Sequence, residues 1–385
     1  MSYSFNRLEH LYIHWPFCPY KCHFCDFVAM ASHEQFMKDY HVALVQEIEQ
    51  FNEHAGQKAK LKTIYFGGGT PSTYPADLLL DTFAILKKHF IFDQGTEVTI
   101  EVNPGTVTPE LLEAWHKAGI NRLSIGVQSL KDQVLRSLNR HQTAVDVYNV
   151  LADASKSFEN ISVDFILGLP GVSPDEWKSM IQEAMKWPIK HISIYFLMVQ
   201  EDTPLYFKVK TKKMTLPPDD ETVDLYEWAV ETLQDHGFER YELSNFAKPG
   251  FESRHNTAYW ERKAYKGFGL GACSFNGTVR CQNGKNLGTY LAKMAGNESP
   301  IDEVETLTQQ QISLEKIMLG LRQRKGLLIA DYMLDATEAQ KDHFFKGVVQ
   351  LQEAGLLQES QGVIRLTPKG YALENEVTLR LFSEL

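Results

Sequence analysis

His14-Trp15-Pro16-Phe17-Cys18-Pro19-Tyr20-Lys21-Cys22-His23-Phe24-Cys25-Asp26-Phe27 places three of the chain's five cysteines within eight residues, in the pattern CxxxCxxC. Thiolate is the ligand that soft metals and iron-sulfur clusters select, and three thiolates on one loop can converge on a compact centre. Two prolines and bulky aromatics predict a stiff, ordered loop. Three ligands leave a tetrahedral or cubane site one short. Either His14, His23 or Asp26 completes a structural zinc site, or a small molecule takes an open position on a cluster. Zinc sites usually pair two knuckles, and Cys273 and Cys281, far away and eight apart, do not form a second one.

A chain of 385 residues, 43% hydrophobic, can bury a large core and suggests two or three domains. The first ten residues hold Arg7 and Glu9 but no apolar segment, and no run of eighteen apolar residues occurs, so neither export nor a membrane span is expected. Five cysteines with three clustered as ligands is the usage of a reducing compartment, which predicts a cytoplasmic protein. A net charge of −10 argues against nucleic acid as a general partner.

Outward from the loop, strand and helix alternate. Leu11–His14, Lys62–Phe66, Glu97–Val102, Arg122–Val127, Ile161–Leu167 and His191–Leu197 read as strands. Helical stretches at Glu34–Glu53, Pro75–Phe90, Pro109–Ala118, Ala144–Phe158 and Pro174–Trp187 fall between them. Six such units predict an α/β protein with a partial, open (β/α)6 barrel, since eight would be needed for closure. The cysteines, Gly67 to Gly69, Glu101, Gln128, Asp164 and Tyr195 all sit at strand carboxyl ends, where barrel enzymes keep their sites.

Lys208 to Pro218 reads as a connector, and Asp219–His236 as a helix closing a core domain of residues 1–236. Residues 237–305, with His255-Asn256-Thr257-Ala258-Tyr259-Trp260 and Gly267-Phe268-Gly269-Leu270-Gly271-Ala272, read as functional loop structure. From 306 to 385, helices followed by a two-stranded hairpin predict a small winged-helix-like domain. Its nine Lys and Arg against ten Asp and Glu give no basic face for DNA, so packing or docking is the expected role.

Gly67-Gly68-Gly69-Thr70-Pro71 after the second strand leaves backbone exposed to a ligand, or is simply a tight turn. With Glu101-Val102-Asn103-Pro104, Gly126-Val127-Gln128-Ser129 and Asn139-Arg140-His141 in order behind it, the chain resembles the HemN-like family of the radical S-adenosylmethionine (SAM) superfamily. The resemblance covers nearly the whole chain. It implies that Cys18, Cys22 and Cys25 hold a [4Fe-4S] cluster whose fourth iron SAM chelates. It implies that Tyr12, Gly68, Glu101 and Cys273 contact one SAM, and that Phe24, Gly69, Thr70, Gln128, Arg140 and Asp164 line a second SAM-type site.

Two features separate the branches of that family. The oxygen-independent coproporphyrinogen III dehydrogenases carry a further Cys two residues past the third, where this chain has Phe27. The HNxxYW segment is similar to that of the HemW-type haem chaperones. That branch implies haem as cargo, with His255 as a ligand and Tyr259 and Trp260 against the porphyrin. It also implies acceptor apo-haemoproteins, respiratory ones among them, and leaves room for membrane association through a partner and for a homodimer. The other branch would make the chain a radical enzyme that decarboxylates two propionates.

Overall fold

In the computed structural model, which describes residues 5, 7–52, 58–333, 336–371 and 373–382, the six expected strands form one parallel run. They are β1 (His10–Trp15), β2 (Thr63–Gly68), β3 (Glu97–Val102), β4 (Arg122–Gln128), β5 (Asn160–Leu167) and β6 (His191–Phe196). Each pairs in parallel with the next. Side chains alternate across a strand, so one row faces the surrounding helices and the other the barrel interior. The outward row is apolar and buried, including Ile13, Ile64, Ile100, Ile125, Val163 and Ile192. The inward row is polar, with Tyr12, Tyr65, Glu101, Ser124, Asp164 and Ser193.

The sheet does not stop at six strands. It continues through β7 (Glu239–Arg240) and β8 (Asn245–Ala247) beyond β6. At the other margin β9 (Tyr265–Phe268), β10 (Cys273–Phe275), β11 (Val279–Asn283) and β12 (Ile301–Thr306) follow β1. The order is β12-β11-β10-β9-β1-β2-β3-β4-β5-β6-β8-β7, with β9 parallel to β1 and β8 antiparallel to β6. Residues 237–305 are therefore regular structure rather than loop: HNTAYW lies in the helix Arg254–Trp260 and Gly267-Phe268 ends β9. Seven residues are too few to show helical periodicity, and glycines hide a strand, which is why both stretches read as irregular.

The segment 248–264 leaves β8 beside β6 and enters β9 beside β1, so it spans the gap between the two margins of the six-strand run. It closes the end of the barrel opposite the cysteine loop. Backbone amides of Arg254 and His255 donate to the Glu97 carboxylate at 3.0 and 2.9 Å, and His255 Nδ1 meets Thr63 Oγ1 at 2.6 Å. Thr63 and Glu97 begin β2 and β3 and stand in register with His10.

The helices stand close to where their periodicity puts them, at Met37–Asn52, Ala76–His89, Pro109–Ala118, Ala144–Ala154, Pro174–Ala184 and Asp219–Asp235; Glu53 lies outside the described residues. The first three residues of the connector, from Lys208, end a helix, Pro204–Lys210, capped by Thr203. At the carboxyl end, helices Gln309–Leu321, Glu338–Glu353 and Glu374–Leu381 pack with a sheet of three strands, Leu327–Leu328 having joined the expected hairpin. This winged-helix-like unit is tied to the barrel by Arg262 to Glu315 at 2.8 Å and by Gln323 Nε2 to the Trp260 carbonyl at 3.1 Å.

Candidate functional site

The cysteine loop is clamped from several sides, which explains motifs that carry no reactive group. Asn139 Nδ2 donates to the Lys21 carbonyl at 2.9 Å, the His23 amide donates to the Leu138 carbonyl at 2.9 Å, and His141 stacks on Tyr20 at 4.7 Å. Asn103 Nδ2 holds the Tyr20 hydroxyl at 2.7 Å. From the β6 side, the Leu205 amide donates to the His23 carbonyl at 2.9 Å.

The loop roofs a cavity of about 620 Å³, lined by Cys18, Cys22 and Cys25 and by the inward residues of β2 to β6. All three thiols are free. Thr70 Oγ1 donates to Cys18 Sγ at 3.3 Å and the buried Arg140 guanidinium points Nη1 at Cys22 Sγ at 3.6 Å. Burial pushes the Cys18 thiol up to about 11, a cost that a bound cation offsets. A donor hydroxyl and a guanidinium facing sulfur suit thiolates holding a charged cluster. The zinc alternative lacks its fourth ligand in His14, whose Nδ1 meets the Tyr12 hydroxyl at 3.0 Å and whose Nε2 meets the Val28 carbonyl at 2.8 Å.

Glycine at 67 to 69 is required by packing. A Cβ on Gly68, where φ is +118°, would fall 2.5 Å from the His14 ring, and one on Gly69 would fall 2.7 Å from the Pro16 backbone. The amides of this segment are not exposed as expected from the sequence: Gly68 donates to Glu101 Oε2 at 3.1 Å, Gly69 to the Trp15 carbonyl at 2.8 Å and Thr70 to the Phe17 carbonyl at 2.9 Å. The run docks the cysteine loop onto β2 and presents Glu101.

Glu101 also accepts the Tyr65 hydroxyl at 2.9 Å. Burial, with Asp164 nearby, raises its carboxyl to about 7. Asp164 is raised too by burial, and accepts Ser124 Oγ at 2.9 Å with the Ser193 hydroxyl also beside it. Gln128 ends β4 at φ +64°, beside a register shift, and Arg140 Nη2 donates to the Gly126 carbonyl at 2.6 Å. A carboxyl perturbed by burial at the wall of this cavity fits a ligand with a cationic group, as SAM has.

The structure thus brings Phe24, Gly68, Gly69, Thr70, Glu101, Gln128, Arg140 and Asp164 to one cavity with the cysteines. It does not bring Tyr12, Cys273, His255, Tyr259 or Trp260 to the cavity wall. Tyr12 stacks on Tyr65 at 6.2 Å, and Cys273 pairs with Gln282 in the β10–β11 ladder. His255 is 1% exposed, with Nδ1 on Thr63 and Nε2 on the Tyr259 hydroxyl at 2.8 Å, so neither ring nitrogen is free for iron in this fold. Sequence reasoning missed Arg122, Ser124, Ser193 and Asn256, which also line the cavity. Inward alternation along β4 and β6 is the signal that would have found the first three.

The barrel's closed end predicts an acid response. Burial lowers His255 to about 3 and His10 to about 4, so both are neutral in the fold while the unfolded chain protonates near the ordinary imidazole value of 6.5. Their contribution is complete above that value and is lost as pH falls toward 4. Urea titrations are expected to show up to about 2 kcal/mol lost per histidine between pH 7 and 5, with a shallower slope in His255→Gln. An identical slope in the variant would place the sensitivity elsewhere.

The model for the radical SAM superfamily matches residues 12–184, and that for the HemN C-terminal domain matches 307–373. A radical SAM barrel carrying a HemN-type carboxyl-terminal domain is the class that fold and cavity define. Heme chaperone HemW of Lactococcus lactis is 32% identical over 95% of each chain, and that of Bacillus subtilis is 34% identical over 98% of this chain and all of that one. The chain belongs to the HemW family. Coproporphyrinogen III oxidase (HemN) from Escherichia coli shares the fold, with a TM-score of 0.84 at 23% identity over 98% of this chain and 91% of that one. Among the described residues no helix is long and apolar enough to cross a membrane.

Proposed function

We propose that this protein is a cytoplasmic haem chaperone: it binds haem and passes it to acceptor apo-haemoproteins. Cys18, Cys22 and Cys25 would hold a [4Fe-4S] cluster, and Gly68, Gly69, Thr70, Glu101, Gln128, Arg140 and Asp164 would receive SAM. The cluster and SAM supply radical or electron-transfer chemistry when bound; the chain itself holds them, excludes water and orients what enters. The single observation that carries the reading is full-length likeness to chains named heme chaperone, at 32% and 34% identity.

A second reading, coproporphyrinogen dehydrogenase, is favoured by the HemN-like fold. Phe27 opposes it, standing 65% exposed at the cavity where that enzyme branch carries a further Cys. The test incubates anaerobically reconstituted protein with haem and, separately, with coproporphyrinogen, SAM and a reductant. Haem uptake and transfer without protoporphyrinogen is the expected result. Protoporphyrinogen formation would restore the enzyme.

A further inference from the structure

We infer that haem docks at the mouth of the cavity, between Phe27 on the cysteine loop and Phe196 and Met198 at the end of β6. The inference rests on the haem-chaperone reading and names the surface it uses. The cavity has two zones. Its interior is polar and charged, with Glu101, Asp164, Arg122 and Arg140. Its lips are apolar: Phe27 and Met198 are 65% and 68% exposed, and Tyr195 and Phe196 are each 41% exposed, on residues that all line this one cavity.

Large apolar side chains left in water around an opening mark a ligand surface rather than a core. The lips come from the two margins of the barrel, since the cysteine loop follows β1 and Phe196 ends β6. An opening rimmed by exposed aromatic side chains suits a flat macrocycle with two apolar faces, and a thioether packs well against an aromatic ring. Haem also carries two carboxylates. Exposed Lys21 lines the same cavity, while Asp26 beside Phe27 disfavours an anionic edge on that side, so the propionates would point toward Lys21. At the other end of the barrel His255 is buried with both ring nitrogens engaged.

The test titrates ferric haem into the full-length, cluster-loaded protein and follows the Soret band. Phe196→Ser and Met198→Ser should each weaken binding at least tenfold, about 1.4 kcal/mol, while iron, sulfide and SAM binding stay at wild-type levels. Phe27→Ser should do the same, but it neighbours Cys25, so the two β6-side variants carry the decision. Lys21→Glu should weaken haem while leaving an apolar porphyrin lacking carboxylates unaffected. Wild-type haem affinity in Phe196→Ser and Met198→Ser would overturn the docking surface alone. Loss of haem from His255→Ala with both lip variants binding normally would move the cargo to the closed end. A wild-type chain that takes up no haem would end the chaperone reading as well.

Discussion

Cys22→Ser is expected to yield protein without its iron-sulfur cluster after anaerobic reconstitution that turns the wild type brown. Cys22 is buried, faces the Arg140 guanidinium, and lies between Cys18 and Cys25 on a loop fixed by hydrogen bonds donated by Asn139 and Leu205 and one accepted by the Leu138 carbonyl. A serine hydroxyl is a harder and far less acidic ligand, and two remaining thiolates cannot hold a cuboidal cluster that already relies on three. The effect should be all or none in iron and acid-labile sulfide. Cys281→Ser, a substitution in the β11 ladder, should retain both. Stoichiometric zinc without sulfide in the wild type would reduce the loop to a structural site.

SAM affinity should fall about tenfold to a hundredfold in Glu101→Ala. A buried carboxylate bonded to a charged ligand contributes about 1.5–3 kcal/mol, and Glu101 is the group that the Gly68 amide and the Tyr65 hydroxyl present to the cavity. Its pH dependence carries a second signature. With the free carboxyl raised to about 7, a cationic ligand must displace a proton, so SAM should bind more weakly at pH 6 than at pH 8. Glu101→Gln should flatten that dependence. Unchanged affinity in a folded Glu101→Ala protein would mean that SAM lies elsewhere.

The six parallel strands were legible because their apolar outward rows alternate with polar inward ones over six to eight residues. The cysteine loop and the carboxylates at strand ends were legible by spacing. What stayed hidden depends on long-range contacts: Glu97, about 160 positions earlier, accepts the amides of Arg254 and His255 at the start of the helix that carries HNTAYW. His255 read as an available ligand because its partners, Thr63 and Tyr259, include one almost two hundred residues away. The glycine run similarly read as open backbone, since nothing local shows that Trp15 and Phe17 carbonyls take its amides.

An unclosed sheet of twelve strands has two free margins, each a template for joining another copy. One margin is β7, only two residues long, which offers almost no ladder. The other is β12, Ile301-Asp302-Glu303-Val304-Glu305-Thr306, whose last five residues are exposed. Two such strands paired antiparallel about Val304 would set Glu303 against Glu305 twice, and like charges directly opposed are destabilising. The acidic margin therefore disfavours a closed pair of copies joined through β12.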